Sequence, residues 1–279
     1  MMASLCRVGA CVILLIGLAG RTDAADHFNL EEGLPTTVED AYPIKQNSLE
    51  LQSYFRFDST HGDSDGKNRY WTVPRFEWGA FKNFQASVAI PYRLGNASET
   101  RQGDVQIKGL YNFNTESLYL PAFSIAASVV QPFGLQSGGT ETELKFLATK
   151  SIGPFDSEGN SPFCYSPRSL HVNASWLHNY DPLPGRNGER RDRYRIVLGY
   201  SQPITNELVL VADAFRETVR DRRKVLNMAE IGARYIITPQ TVLAAGVGIG
   251  FGGDRSEDFR ATLGFQHTLS YPYSFDPPR

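Results

Sequence analysis

The chain has 279 residues, a formal net charge of −2 and a negative mean hydropathy. This nearly balanced charge argues against a nucleic-acid partner. Of its three cysteines, two lie in the first eleven residues, which leaves too few for a disulfide scaffold or a cysteine-rich metal site. We expect neither a cofactor nor a bound metal.

The N-terminus has the pattern of a secretory signal peptide. Arg7 supplies a positive charge, an apolar run extends from Ala10 to Ala19, and residues 22–24 resemble a small-residue cleavage site. The run is shorter than the roughly 18 to 20 apolar residues that a spanning helix needs, which argues against an anchor helix. We therefore predict export and removal of residues 1–24, after which Cys164 is the remaining cysteine.

Residues 25–45 form a predicted irregular arm. The segment is acidic, contains Pro35 and Pro43, and shows no hydrophobic period. Two placements are open for an arm that precedes a barrel. It could fold into the lumen as a plug, or it could lie in the periplasm.

From Ser48 onward, apolar and polar residues alternate in the two-residue period of β-strands. In the segment Gly103–Phe113, for example, Ile107 and Tyr111 alternate with Lys108 and Asn112. The predicted strands lie within residues 48–57, 70–78, 84–92, 103–113, 122–131, 142–151, 170–180, 193–202, 207–215, 229–235, 241–252 and 259–271. About twelve strands of about ten residues each suit a bilayer-crossing antiparallel barrel. The predicted fold class is all-β, with the transmembrane barrel in residues 46–273 and a C-terminal tail at 274–279.

The connections between the predicted strands alternate in length. Those after odd-numbered strands are longer and more charged, and most of those after even-numbered strands are short, as in barrels with external loops and periplasmic turns. The segment from Gly153 to Arg168 breaks this rule because it is long where a turn is expected.

Charged residues within the strands lie on the polar faces. This placement fits a barrel, because Arg or Lys on the lipid face costs roughly 2 to 4 kcal/mol at mid-bilayer. His267 departs from the pattern, and Trp78 and Trp176 are predicted members of interfacial aromatic girdles. The residues predicted to line the lumen and contact solute are Glu50, Arg75, Glu77, Asp104, Lys108, Glu143, Lys145, Asp213, Glu230, Arg234 and Arg260.

Three segments carry a resemblance to a known family. Leu34–Leu51, Gly103–Phe113 and Val130–Gly134 resemble the outer-membrane transporter-like family named after the meta-cleavage pathway of phenol degradation. That resemblance implies an outer-membrane barrel of a Gram-negative bacterium that passes small, often hydrophobic or aromatic molecules. It implies no catalytic residues, so we do not expect an enzyme.

The sequence therefore predicts a channel or transporter-like barrel for passive passage of small solutes. The expected partners are outer-membrane lipid, lipopolysaccharide, a small-molecule solute and the barrel-assembly machinery. Two predicted external loops are basic and could bind lipopolysaccharide phosphates or attract anions; they contain Arg186, Arg190, Arg191 and Arg193, and Arg216, Arg220, Arg222, Arg223 and Lys224.

Three alternatives remain open. The lumen charges could pair and close the barrel as a structural unit, or the protein could be a soluble periplasmic β-protein. It could also be a lipid hydrolase, because Ser169, His171, Asn173 and Ser175 share one strand face. Neighbours on one face lie roughly 7 Å apart, too far for a direct bond between nucleophile and base.

Overall fold

The computed structural model describes residues 29–60, 68–95, 103–133, 139–152, 168–181, 190–219, 225–252 and 257–269. The strands are β1 (Leu49–Ser59), β2 (Arg69–Phe81), β3 (Phe84–Ala89), β4 (Tyr92–Gly95), β5 (Val105–Asn114), β6 (Ala122–Gln131), β7 (Glu141–Ile152), β8 (Arg168–Asn179), β9 (Asp192–Pro203), β10 (Leu208–Thr218), β11 (Val225–Thr238), β12 (Thr241–Gly250) and β13 (Phe259–Leu269). No helix in these ranges is long and apolar enough to cross a membrane.

The strands form one closed antiparallel barrel. From β5 to β13 each strand pairs with the next along the chain, β3 pairs with β5, and β1 closes the ring by pairing with β13 on one side and β2 on the other. Both β3 and β4 pair with β2, so they are two pieces of one barrel strand that is interrupted at Ile90 and Pro91. Proline has no amide hydrogen to donate, which accounts for a break there. The barrel therefore has twelve strand positions, as predicted.

The two faces of the wall follow the two-residue period of the sequence. Large apolar side chains are exposed on the outside of the barrel, including Trp78 and Trp176, which are 46% and 43% exposed. The inward face carries charged and amide side chains that are nearly all buried. A soluble β-sandwich places its apolar face inside, so this inverted arrangement argues against the alternative of a soluble periplasmic β-protein.

The two ends of the barrel differ. At the turn end, where β1 begins, β2 and β3 are joined by Lys82 and Asn83, and β11 and β12 by residues 239–240. Asn83 has a φ of 63°, a conformation that Asn tolerates in tight turns. At the opposite loop end the connections are mostly longer, as predicted. The long connection at 153–167 joins β7 and β8 at the turn end, and it lies with Cys164 outside the described residues.

Two predictions about basic residues change with the structure. Arg193 was predicted in an external loop, but it lies in β9 with its side chain buried in the lumen. There it contacts Glu141, and its Nη1 lies 3.2 Å from Glu217 Oε1, because an inward position on a strand requires a charged side chain to find partners. Arg216 lies in β10 and is exposed. Residues 182–189 and 220–224 of these loops lie outside the described ranges.

His267 lies near the turn end of β13, on the outward side of the wall. Its Nδ1 lies 2.9 Å from Thr241 Oγ1 of β12. A hydroxyl partner satisfies the imidazole without a charge, which accounts for a polar side chain at this position.

Candidate functional site in the lumen

The arm lies inside the barrel. Residues 29–41 are buried, apart from Glu32 and Gly33 at intermediate exposure, and the chain reaches the start of β1 at the turn end. Of the two placements that the sequence left open, the structure shows the plug. The lumen is therefore filled by a separate segment of chain as well as by the side chains of the wall.

The arm donates backbone amides to acidic and amide side chains of the wall. Thr37 N donates to Glu230 Oε2 at 2.7 Å and Val38 N to Asp213 Oδ2 at 2.7 Å. Further along, Ile44 N donates to Gln85 Oε1 at 2.8 Å. An irregular segment has no sheet partner, so each buried amide must find an acceptor elsewhere. The polar inward face supplies those acceptors.

Wall side chains also bind the carbonyl groups of the arm. The amide of Asn173 pairs with Glu39 in both directions, accepting from its N–H at 2.9 Å and donating to its carbonyl at 2.7 Å. Asn112 Nδ2 donates to the Ala41 carbonyl at 2.8 Å, and Ala41 N donates to Thr149 Oγ1 at 2.9 Å. These bonds hold residues 39–41 near the turn end, against β5, β7 and β8.

Two carboxylates of the arm pair with basic residues of the wall. Glu39 accepts hydrogen bonds from Lys108 and, at 2.8 Å, from Lys145 Nζ. Glu32 contacts Lys145 and lies 2.8 Å from Arg195 Nη2. Docking therefore gives the buried ammonium groups of Lys108 and Lys145 a carboxylate partner from the arm.

The arm is also braced internally by Asp40. Its carboxylate accepts hydrogen bonds from Leu30 N at 3.0 Å and from Tyr42 N at 2.9 Å, and its own N–H donates to the Leu30 carbonyl at 3.0 Å. Hydrogen bonds between Leu30 and Asp40 therefore close residues 30–40 into a compact loop.

An apolar strip covers one side of the lumen, where Leu30 and Val38 pack against inward residues of β9 to β11. The members of this strip are Val197, Val209, Val211, Phe215, Leu226 and Met228. A Cβ added at Gly199, beside the strip, would lie 2.4 Å from Val38 Cγ2, so only glycine leaves room for the arm there.

All eleven residues predicted to line the lumen lie on its inner side. Seven contact the arm directly: Arg75, Lys108, Lys145, Asp213, Glu230, Arg234 and Arg260. Glu50 and Glu77 accept from the Gln52 amide, and Asp104 and Glu143 line a cavity at the loop end. Their predicted contact with solute stays a prediction.

The predicted set of lumen residues left out the amide side chains, because it was restricted to charged residues. Gln52, Gln85, Asn112 and Asn173 lie on the same strand faces as the charged residues, so the two-residue period places them in the lumen too. The apolar strip was harder to detect, since its valines make β10 apolar on both faces.

A cavity of about 240 Å³ lies between the arm and the loop end. Glu32 of the arm lines this cavity, and Arg195, Trp71 and Leu177 of the wall line it as well. Trp71 is flanked by the guanidinium carbons of Arg56 and Arg93, at 5.5 and 5.4 Å from the ring centroid. The cavity thus combines charged, aromatic and aliphatic surfaces.

The polar row on β8 does not form a nucleophile and base pair of its own. His171 Nε2 lies 2.9 Å from Ser201 Oγ, and its Nδ1 lies 3.1 Å from Thr149 Oγ1. Asn173 is occupied by the arm, and Ser175 Oγ has no hydrogen-bond partner within the described ranges. The row contributes to binding the arm and the neighbouring strands.

No protein-family model and no curated protein matches this sequence. Solved structures do resemble it. The COG4313 outer membrane channel from Pseudomonas putida F1 superposes with a TM-score of 0.59 at 11% identity, covering 86% of this chain and 100% of the channel. The KdgM porin gives 0.52 at 8% identity over 79% and 99% of the two chains, and the NanC porin gives 0.50 at 12% identity over 79% and 100%. At such identities the similarity concerns the fold: the chain is a closed twelve-stranded antiparallel barrel of the kind found in outer-membrane channels and porins.

Proposed function

We propose that this protein is an outer-membrane channel for small solutes and that the N-terminal arm closes it at rest. The observation that carries the proposal is the way the arm is held. It is bound to the wall by side-chain hydrogen bonds and ion pairs, while the barrel is closed by its own strand pairing. The arm can therefore leave without breaking the barrel.

The number of contacts favours the closed state. Within the described ranges, ten hydrogen bonds join backbone groups of the arm to wall side chains. Each contributes about 0.5 to 1.5 kcal/mol, which offsets the conformational entropy that the arm loses when it is ordered in the lumen. Passage therefore requires something that weakens these contacts.

The exterior of the barrel supports placement in a membrane. Exposed aromatic and aliphatic side chains surround the wall, and a soluble monomer rarely exposes apolar patches above a few hundred Å². Outer-membrane lipid is the partner that this surface fits, with lipopolysaccharide at the loop end and the assembly machinery during insertion. Small hydrophobic or aromatic solutes, which the family resemblance implies, remain the proposed cargo.

Single-channel conductance in planar bilayers tests the proposal. The mature protein is compared with a version lacking residues 26–45, and heat-modifiable migration verifies that both have folded. We expect rare openings from the mature protein and sustained conductance from the shortened one. If neither conducts although both fold, the channel proposal is wrong, and the barrel is a closed structural unit.

A further inference from the structure

We infer that the cavity at the loop end is a binding site for a small amphipathic carboxylate, whose head group replaces Glu32 on Arg195 and Lys145. This inference rests on the proposed function, because it identifies the solute class that the channel admits and the step that loosens the arm.

The head-group position is occupied by the arm's own carboxylate. Glu32 Oε1 lies 2.8 Å from Arg195 Nη2, and its other oxygen contacts Lys145. The Glu32 side chain is 22% exposed, whereas that of Glu39 is 2% exposed. Glu32 is therefore the carboxylate that a solute in the cavity can reach and replace. A guanidinium beside an ammonium is suited to bind any carboxylate of matching size.

The balance of charge permits an anion once Glu32 has moved. Connected ion pairs join three wall cations, Lys145, Arg193 and Arg195, with three wall carboxylates, Glu141, Glu143 and Glu217. Lys108 joins this network through Glu39 of the arm, so the network carries 4 − 5 = −1 with Glu32 in place and 4 − 4 = 0 once Glu32 has moved. Asp104 also lines the cavity and has interactions of its own. A solute carboxylate that takes the place of Glu32 keeps the charge unchanged.

The other walls of the cavity suit an apolar body. Trp71, Pro91, Val130 and Leu177 line it beside the charged floor. Its volume of about 240 Å³ is below the roughly 300 to 1,000 Å³ of pockets for drug-sized ligands, which favours a solute of about one ring. An aromatic or short branched acid meets both requirements.

Binding there would also act on the arm. Loss of the two Glu32 side-chain contacts removes one of the attachments of residues 30–34. Leu30 in the apolar strip, and Arg75 and Arg234 on the carbonyls of Glu32 and Leu34, still hold the segment. Val197 of that strip is two residues from Arg195 on the same inward face of β9. A solute with an apolar body can next replace Leu30 on this surface. Leu30 and Glu32 of the arm thus supply an apolar group and a carboxylate, the same two groups that the displacing solute carries.

Tryptophan fluorescence measures this binding without relying on conductance. Trp78 and Trp176 lie on the outer face, so replacing both with Phe leaves Trp71 in the cavity as the reporter. The refolded protein is titrated with sodium benzoate, benzyl alcohol and benzylamine, three probes of one size and different charge. We expect saturable binding of benzoate, with the other two at least about tenfold weaker.

Two variants with opposite expected effects make the test specific. Arg195→Gln should weaken benzoate binding at least tenfold. Glu32→Gln should tighten it several-fold by removing the competing carboxylate. Lys150→Gln is the control, since it removes a cation from the same barrel at the turn end, where Lys150 pairs with Glu116.

The outcomes separate this inference from the proposed function. Tightening by Glu32→Gln supports the site even if Arg195→Gln fails to fold. The inference is overturned if benzylamine binds as tightly as benzoate or more tightly, or if Glu32→Gln leaves the benzoate affinity unchanged. In that case the proposed channel function still stands, provided that the arm-deleted protein conducts. If the arm-deleted protein folds without conducting, the proposed function fails, whatever benzoate does.

Discussion

Glu39 of the arm lies between two lysines of the wall, with its Oε2 2.8 Å from Lys145 Nζ and its Oε1 in contact with Lys108. All three side chains are buried, with at most 9% of their surface exposed. Removing the shared carboxylate would leave two ammonium groups facing each other in the lumen. The stability of the docked arm therefore depends strongly on this residue.

We expect Glu39→Gln to weaken docking by about 3 to 5 kcal/mol, the usual cost of leaving a buried charge without its partner. Single-channel recordings should show openings far more often than in the unchanged protein. Combining Glu39→Gln with Lys108→Gln should restore part of the lost docking free energy, because the uncompensated charge of Lys108 is then removed. Equal opening frequencies in the single and double variants would contradict this interpretation.

A disulfide between the arm and the wall should lock the channel closed. Cβ atoms at positions 38 and 199 would lie 2.9 Å apart, close enough to reach the roughly 3.8 Å of a disulfide with a small shift. Val38→Cys with Gly199→Cys, in a Cys164→Ser background, should conduct only after reduction. The single-cysteine proteins should not respond to reductant. Conductance through a fully oxidised sample would show that solutes bypass the arm.

Gly199→Val should displace the arm without disturbing the barrel. Valine favours strands, but its side chain would occupy the space of Val38. We expect normal heat-modifiable migration together with greater protease cleavage of the arm and more frequent openings. Ala214→Val, on the exposed face of the adjacent β10, is the matched control and should match the unchanged protein in both assays.

The turn between β5 and β6 should respond to acid through Glu116. Burial raises the pKa of Glu116, but hydrogen bonds from Lys150 and Ser151 outweigh it and hold the pKa below its usual value. Because the pKa of Glu116 is lower in the folded protein, the ionised carboxylate stabilises the fold at pH values above its ordinary pKa near 4.5. This stabilisation is lost as the pH falls through the lowered pKa.

The acid effect should be small, since a partly solvated ion pair contributes about 0 to 1 kcal/mol. Thermal unfolding measured between pH 6 and roughly pH 3 should show it as a difference from Glu116→Gln that narrows at the acid end. Tyr42 Oη donates to Glu116 at 3.3 Å, so the same variant should also loosen the base of the arm. A constant difference across this pH range would rule out Glu116 as the titrating group.

The strands and their faces could be predicted because lipid and lumen impose opposite polarity on alternate residues. Lys108 and Asn112 followed that rule. The interruption at Pro91 was missed because the alternation continues through it. The docked arm could not be predicted, because its amides are satisfied by residues as distant as Asp213 and Glu230, and an irregular segment has no period that reports such contacts. Its acidic composition was visible, but only the assembled barrel shows which cations face it.

The close fit of Val38 against Gly199 has a consequence for how such barrels diverge. A larger residue at position 199 is tolerable only if position 38 shrinks at the same time, and the same dependence joins Leu34 to Gly264, where an added Cβ would lie 2.4 Å from Leu34 Cδ2. Arm and wall must therefore change together over evolution, as two interacting proteins do. An arm transferred from one diverged barrel into another would not fit the new lumen, even where the strands of the two barrels align residue for residue.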